Sequence, residues 1–136
     1  MNIIVAGIGT DVGKTVISAV LCQALKAQYW KPVQAGDLDN TDSDTLRNLV
    51  SHKKFHIHPE THRLTKPMSP HAAALIDGVE INANDFELPN THGHPLVTEL
   101  AGGLMVPLSS TYLTIDLVAD LGGSVVLVIN SYLGNI

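Results

Sequence analysis

Between an apolar run, Ile3-Ile4-Val5-Ala6, and a segment of helical character stands Gly7-Ile8-Gly9-Thr10-Asp11-Val12-Gly13-Lys14-Thr15. Residues of these types in this order can hold a polyphosphate. Glycines let the backbone curl so that successive N–H groups face inward, and the helix N-terminus adds partial positive charge. Lys14 supplies a mobile ammonium and Thr15 a hydroxyl able to ligate Mg²⁺. The standard pattern, G-x-x-x-x-G-K-[ST], would need Gly at position 8, where the chain has Ile8. A tight strand-to-helix turn could also end in Gly-Lys-Thr. The position after the first strand and the Gly7/Gly9 pair favour nucleotide binding.

Mg²⁺ bound to a nucleotide takes hard oxygen ligands, one or two of them carboxylates. Glu99 ends an apolar strand, where open α/β sheets place their ligands, and Ala101-Gly102-Gly103 follows it. A second source is the acidic loop Asp37-x-Asp39-x-x-Asp42-x-Asp44, which a solvated loop would equally explain.

The elements that must position these groups alternate. Ile3–Ala6 reads as a strand buried on both faces. Thr15 to Gln28 reads as a helix, with Val16, Ala19, Val20, Cys22, Ala24 and Ala27 covering much of its surface. Tyr29 to Val33 reads as a second strand, and Ser43 as the N-cap of a helix from Asp44 to about Val50. Pro70 opens an alanine-rich helix that stops at Gly78. Pro95 to Leu100 is a third strand, Thr114 to Leu121 a helix closed by Gly122-Gly123, and Ser124 to Asn130 a fourth strand. This order predicts an α/β fold, a parallel sheet flanked by helices, in one domain over residues 1–136. A parallel sheet is normally covered on both faces, so the architecture is expected to be C-terminally incomplete.

The chain has 136 residues, 45% of them apolar and 15% charged, with a formal net charge of −5. That composition supports a sizeable core and excludes a disordered chain. The acidic balance excludes broad electrostatic binding to nucleic acid or an anionic membrane. The longest apolar stretch, Val125 to Ile129, is far too short to span a bilayer. A single Cys22 and the absence of a charged-then-apolar leader lead to an expectation of a cytoplasmic protein.

Several blocks together resemble the ATP-dependent dethiobiotin synthetase family, whose fold is of the P-loop NTPase kind. Gly9 to Thr15 resembles its extended phosphate loop, odd glycine spacing included. Lys31-Pro32-Val33-Gln34-Ala35-Gly36 resembles its second-strand block, and Asn40-Thr41-Asp42-Ser43-Asp44 its acidic lead-in to a helix. Lys66-Pro67-Met68-Ser69-Pro70-His71 resembles its Ser-Pro-His turn. Glu99-Leu100-Ala101-Gly102-Gly103 and Val106-Pro107-Leu108-Ser109 resemble its Glu-Gly-Ala-Gly-Gly and Pro-Leu-Ser blocks.

The resemblance implies ring closure of dethiobiotin from 7,8-diaminononanoate, CO₂ and ATP, with Mg²⁺, in a homodimer. Lys14 would hold the β/γ-phosphates, and Lys31 would hold a carbamate and the charge developing in phosphoryl transfer; both are catalytic candidates. Asp11, Val12, Gly13, Thr15 and Val16 would contact the nucleotide, as would Asp44, Glu99, Leu100, Ala101 and Gly102. Thr10, Lys31, Ala35, Ser69 and Gly102 would face the substrate. Thr15, Asp44 and Glu99 match the Mg²⁺ ligands. Asp42 competes with Asp44, which is preferred because Ser43-Asp44-Thr45-Leu46 aligns without a gap.

Two residues depart from the family. Ala35 replaces a Ser or Thr and loses a side-chain hydrogen bond, and Leu100 replaces a Gly and restricts the turn after Glu99. Family members also continue through further strands and helices that hold the adenine, so a chain ending inside the block Leu133 to Ile136 is expected to bind phosphates better than it distinguishes ATP from GTP.

A ParA- or MinD-like ATPase switch is the competing class, but it carries an extra lysine in its loop and Ile8 to Val12 contains none. A non-enzymatic phosphate-binding module is the third reading. His52, His56, His58 and His62, with His92 and His94, have spacings compatible with Zn²⁺, but no Cys lies near and surface histidines explain them better.

Overall fold

The computed structural model describes residues 1–131. The block Leu133 to Ile136 lies outside them.

β1 (Asn2–Gly7) is the strand the apolar run predicts. It lies between β6 (Leu96–Glu99) and β7 (Ser124–Val128), parallel to both. Beyond β6 come β2 (Gln28–Trp30) and β4 (Ile57–His58), giving a five-stranded parallel sheet in the order β4-β2-β6-β1-β7.

Strand alternation sorts the core into two layers. Ile4, Ala6, Trp30, Leu96 and Leu100 face one side, where they pack with Ala73 and Ala74 of α3 (Pro70–Asp77) and Leu117 and Leu121 of α4 (Thr114–Leu121). Val5, Tyr29 and Val97 face the other, against Ala19 and Cys22 of α1 (Lys14–Leu25) and Leu46 of α2 (Asp42–Leu49). The expected parallel sheet flanked by helices is therefore found. β7 pairs only with β1 among the described residues, and Val125 and Leu127 on it are about half exposed.

Of the boundaries that differ from expectation, three shape the site. α1 ends at Leu25, not Gln28, because Lys26 adopts a left-handed conformation and Ala27 N–H turns back to the Cys22 carbonyl. That frees Gln28 to start β2, where its N–H donates to the Pro95 carbonyl. The strand expected from Tyr29 to Val33 breaks at Lys31-Pro32. Proline offers no N–H to a ladder, and the chain leaves the main sheet there. Val33–Ala35 becomes β3, which pairs in parallel with β5 (His62–Leu64) in a separate two-stranded sheet. Lys31 is thereby left at the carboxyl end of β2.

The third difference is the start of α2. Its N-cap is Thr41, whose hydroxyl accepts from Asp44 N–H while the Asp44 carboxylate accepts from Thr41 N–H. This reciprocal pair satisfies two otherwise orphaned donors. Ser43, expected to be the cap, is inside the helix and donates its hydroxyl to Glu60.

Candidate active site

The loop from Gly7 to Gly13 joins the carboxyl end of β1 to the N-terminus of α1. Its glycines serve close packing as well as curvature. A Cβ on Gly7 would lie 2.9 Å from Val12 Cγ2, and Gly13 caps the helix at φ 100°. Asp11 is left-handed at φ 57°, which turns the chain between the two. Lys14 bends over the loop and donates from Nζ to the Gly9 carbonyl at 2.6 Å. Burial, and then the neighbouring Lys31 charge, hold its pKa below the ordinary lysine range.

Strand parity places the acid. Glu99 is two residues beyond Val97 and so faces α1, whose second residue is Thr15. Thr15 Oγ1 lies 2.9 Å from Glu99 Oε1 and 2.8 Å from Asp42 Oδ1. A hydroxyl has one proton and can satisfy only one carboxylate at a time. The Lys31 ammonium compensates, 2.6 Å from Asp42 Oδ2 and 3.3 Å from Glu99 Oε1. Burial alone would lower the Lys31 pKa, but Glu99 and Asp42 outweigh it and raise the value. The converse holds at Asp42: burial would raise its pKa, yet Lys31 holds it below the usual carboxylate range.

Of the two competing aspartates, the structure places Asp42, and not the preferred Asp44, beside Thr15 and Lys31. Asp44 points away from the cluster, accepting from Thr41 and pairing with Arg47. Its position in the first helical turn puts it at the capping station, one side of the helix from the residue that opens α2. Asp42, at that opening, faces Thr15.

These groups line a cleft of about 570 Å³. Of the predicted nucleotide contacts, Asp11, Gly13, Lys14, Thr15, Val16, Glu99, Ala101 and Gly102 line it, as do the predicted substrate contacts Thr10, Lys31, Ala35 and Ser69. Val12 and Leu100 do not. Val12 packs toward the α1 face of the core. Leu100 is 1% exposed, fills the opposite layer and donates its N–H to the Val5 carbonyl. The turn after Glu99 accommodates Leu100 because its backbone is not left-handed; the positive φ falls on Gly102 at 62°.

Sequence reasoning passed over two side chains here. Gln34 lines the cleft, donates from Nε2 to the Gly36 carbonyl, and keeps a buried Oε1 without a hydrogen-bond donor. Tyr29 is fully buried and donates its hydroxyl to Glu99 Oε2 at 3.0 Å. A tyrosine in a strand buried on both faces must find a partner for its hydroxyl, and that was the available signal.

Thr15, Asp42 and Glu99 converge three hard oxygens beside the phosphate loop, a donor set that fits Mg²⁺ held partly by a nucleotide. The histidines have other partners, His56 and His58 meeting edge to face at 4.6 Å. His52 meets the Ala27 carbonyl, His58 pairs with Gln28, and His62 with Asp85. Among the described residues no group of three or more His, Cys, Asp or Glu side chains could hold a metal. Nor is any described helix long and apolar enough to cross a membrane.

A parallel sheet with a phosphate loop after its first strand, an acid at the carboxyl end of the neighbouring strand and a second acid at the start of α2 defines a nucleotide-binding α/β domain. The chain belongs to the family described as AAA domain, which it matches over residues 1–136. It is 49% identical over 132 residues to the ATP-dependent dethiobiotin synthetase BioD of Cytophaga hutchinsonii, covering 97% of this chain and 64% of that protein. The protein of that name from Christiangramia forsetii is 50% identical over 134 residues, covering 97% and 63%. That from Chlamydia pneumoniae is 45% identical over 135 residues, covering 99% and 60%. The chain spans somewhat less than two thirds of the length of these relatives.

Proposed function

We propose that the chain carries the phosphate, metal and carbamate part of an ATP-dependent dethiobiotin synthetase site. The reading rests on one observation above all: Lys14, Lys31, Thr15, Asp42 and Glu99 share a single cleft, which Ala35 and Ser69 also line. Two cations and two anions close together suit the transfer of a phosphoryl group to another anion.

In this reaction one amine of 7,8-diaminononanoate takes up CO₂ as a carbamate, releasing a proton. A carbamate oxygen attacks the γ-phosphorus of ATP, and the bond to the β-phosphate oxygen breaks to give ADP. The second amine then attacks the carbonyl carbon of the carbamic–phosphoric anhydride, and phosphate leaves as the cyclic urea closes. No side chain need act as a nucleophile; fixed positive charge does the work. Lys14 and the amides of Asp11 to Val16 hold the phosphates. Lys31, kept protonated by its two carboxylates, meets the carbamate. Mg²⁺, held by Thr15 with Asp42 and Glu99, would neutralise phosphate charge. Ala35 leaves a backbone contact to substrate, and Gly102 offers its N–H to carbamate or phosphate.

By the same reading the protein is a cytoplasmic homodimer. The test is ATP hydrolysis and incorporation of labelled CO₂ into a cyclic urea, each with and without the diamine. Stimulation by the diamine supports the proposal. Stimulation by DNA or a membrane, with no response to the diamine, would favour an ATPase switch instead.

A further inference from the structure

We propose that Tyr29 is a positioning residue for Glu99: its hydroxyl holds Oε2, so that Oε1 alone is presented to Thr15 and the cation. The inference rests on the metal-binding part of the reading above and assigns a role to a residue outside the cleft lining.

Register fixes the relationship. β2 and β6 are parallel with Tyr29 opposite Val97, so the tyrosine ring lies along β6 and its hydroxyl reaches the residue two further on, Glu99. Tyr29 is 0% and Glu99 1% exposed, so no water substitutes for the contact from outside. The two carboxylate oxygens are divided by partner. Oε2 accepts from Tyr29 at 3.0 Å, while Oε1 faces Thr15 Oγ1 at 2.9 Å and Lys31 Nζ at 3.3 Å. A phenol has one proton to give and an ionised carboxylate has none, so the hydroxyl donates and Oε2 accepts.

Without the hydroxyl, Oε2 would be a buried acceptor with no donor, and the terminal torsion of Glu99 would be held from the Oε1 side alone. Partners of this kind orient a ligand they do not replace, and their loss typically weakens metal affinity about 10–100-fold.

The experiment uses the 136-residue chain with Mn²⁺ as a paramagnetic probe. Mn²⁺ binding to the ADP-loaded protein is titrated by electron paramagnetic resonance in wild type, Tyr29→Phe and Tyr112→Phe. The last is a control that removes a hydroxyl bonded to a different acid, Asp120. Tyr29→Phe is expected to weaken Mn²⁺ about tenfold or more while leaving metal-free ADP affinity unchanged, and Tyr112→Phe to match wild type. A lower melting temperature for Tyr29→Phe with undiminished Mn²⁺ affinity would show a purely structural role and overturn the inference. Failure of the wild type to bind Mn²⁺ with ADP would instead overturn the metal site itself. Should Tyr29→Phe not fold, the wild type still decides. Adding Mg²⁺ to the ADP complex must shift a buried-tyrosine band in the near ultraviolet, a shift retained in Tyr112→Phe. No shift would refute the coupling.

Discussion

The Lys31 ammonium lies 2.6 Å from Asp42 Oδ2, joining the carboxyl end of β2 to the first residue of α2. Lys31 is 4% exposed, and the same ammonium faces Glu99. Removing one member of a buried pair leaves the other charge uncompensated, at a cost of about 3–5 kcal/mol. Lys31→Ala is therefore expected to lower the melting temperature in metal-free buffer and to recover much of it when Mg²⁺ and ADP are added. Nucleotide binding should survive, while ring closure falls on the order of 10²-fold or more, as for loss of a transition-state charge partner. Lys14→Ala should weaken both. Calorimetry of MgADP binding beside product formation measures the division, and equal losses of nucleotide affinity in the two variants would refute it.

Asp42 and Asp44 are two residues apart and do different work. Asp42→Asn removes a carboxylate from the Thr15 cluster and is expected to weaken Mn²⁺ binding to the ADP complex by at least about tenfold. Asp44→Asn breaks the reciprocal cap with Thr41 and the pair with Arg47. It should lower thermal stability and leave Mn²⁺ affinity unchanged. An electron paramagnetic resonance titration of both variants checks this, and a loss confined to Asp44→Asn would reverse the assignment.

That distinction marks where the sequence ceases to be readable. The phosphate loop, the helices opening at Pro70 and Thr114, and Glu99 at a strand end are legible because each has a local signature: glycine spacing, a proline at the first turn, an apolar run ending in an acid. Asp42 against Asp44 is not, since both lie in the first turn of one helix and only the cap geometry separates them. The break at Lys31-Pro32 was visible as a proline. Its consequence, a second sheet with β5, depended on pairing between segments 29 residues apart, Val33 with His62, which no local pattern encodes. β4 and β5, of two and three residues, are too short to show alternation. Tyr29 needed the register with Val97.

Acid should expose the Asp42 interaction. The Asp42 carboxyl is held below its unfolded value, about 3.9, so its stabilisation is complete above that pH and is lost as pH falls through the lower, folded value. Lys31 works at the opposite end. Its raised pKa stabilises below the unfolded value, about 10.4, and that contribution is lost as pH climbs through the folded one. Urea midpoints measured across pH are expected to fall at both extremes, with the acid limb shallower in Asp42→Asn. An unchanged acid limb in that variant would show that other carboxylates control it.

Cys22 is fully buried on α1, and burial, then the Glu99 charge, push its thiol up to about 12. Both the thiolate fraction and access are therefore low at neutral pH. Native protein is expected to resist alkylation and to react fully in urea, so the reaction serves as a probe of opening of the α1 layer. Mass spectrometry after brief iodoacetamide treatment measures it; rapid native labelling would show that α1 opens without unfolding.

Part of the cleft lining depends on a contact between two blocks distant in sequence. Gly36 has φ 76°, and a Cβ there would lie 2.5 Å from Pro67 Cβ and 2.6 Å from Pro67 Cα. The obstacle is ring and backbone, which cannot rotate aside. Gly36→Ala must therefore displace Pro67-Met68-Ser69, which line the cleft, or distort β3. Left-handed strain of about 1–2 kcal/mol for a residue with a Cβ adds to the overlap. Gly78 separates the two effects, because it has φ 67° but nothing within 4 Å of the added carbon. Gly78→Ala should show the strain alone, as a lower melting temperature with an unchanged KM for the diamine. On the function proposed above, Gly36→Ala should raise that KM severalfold while MgADP affinity is kept, because the added carbon meets Pro67 and no atom of the phosphate loop. Steady-state kinetics beside calorimetry decides, and an equal loss of nucleotide affinity in Gly36→Ala would mean that this lining and the phosphate loop move as one.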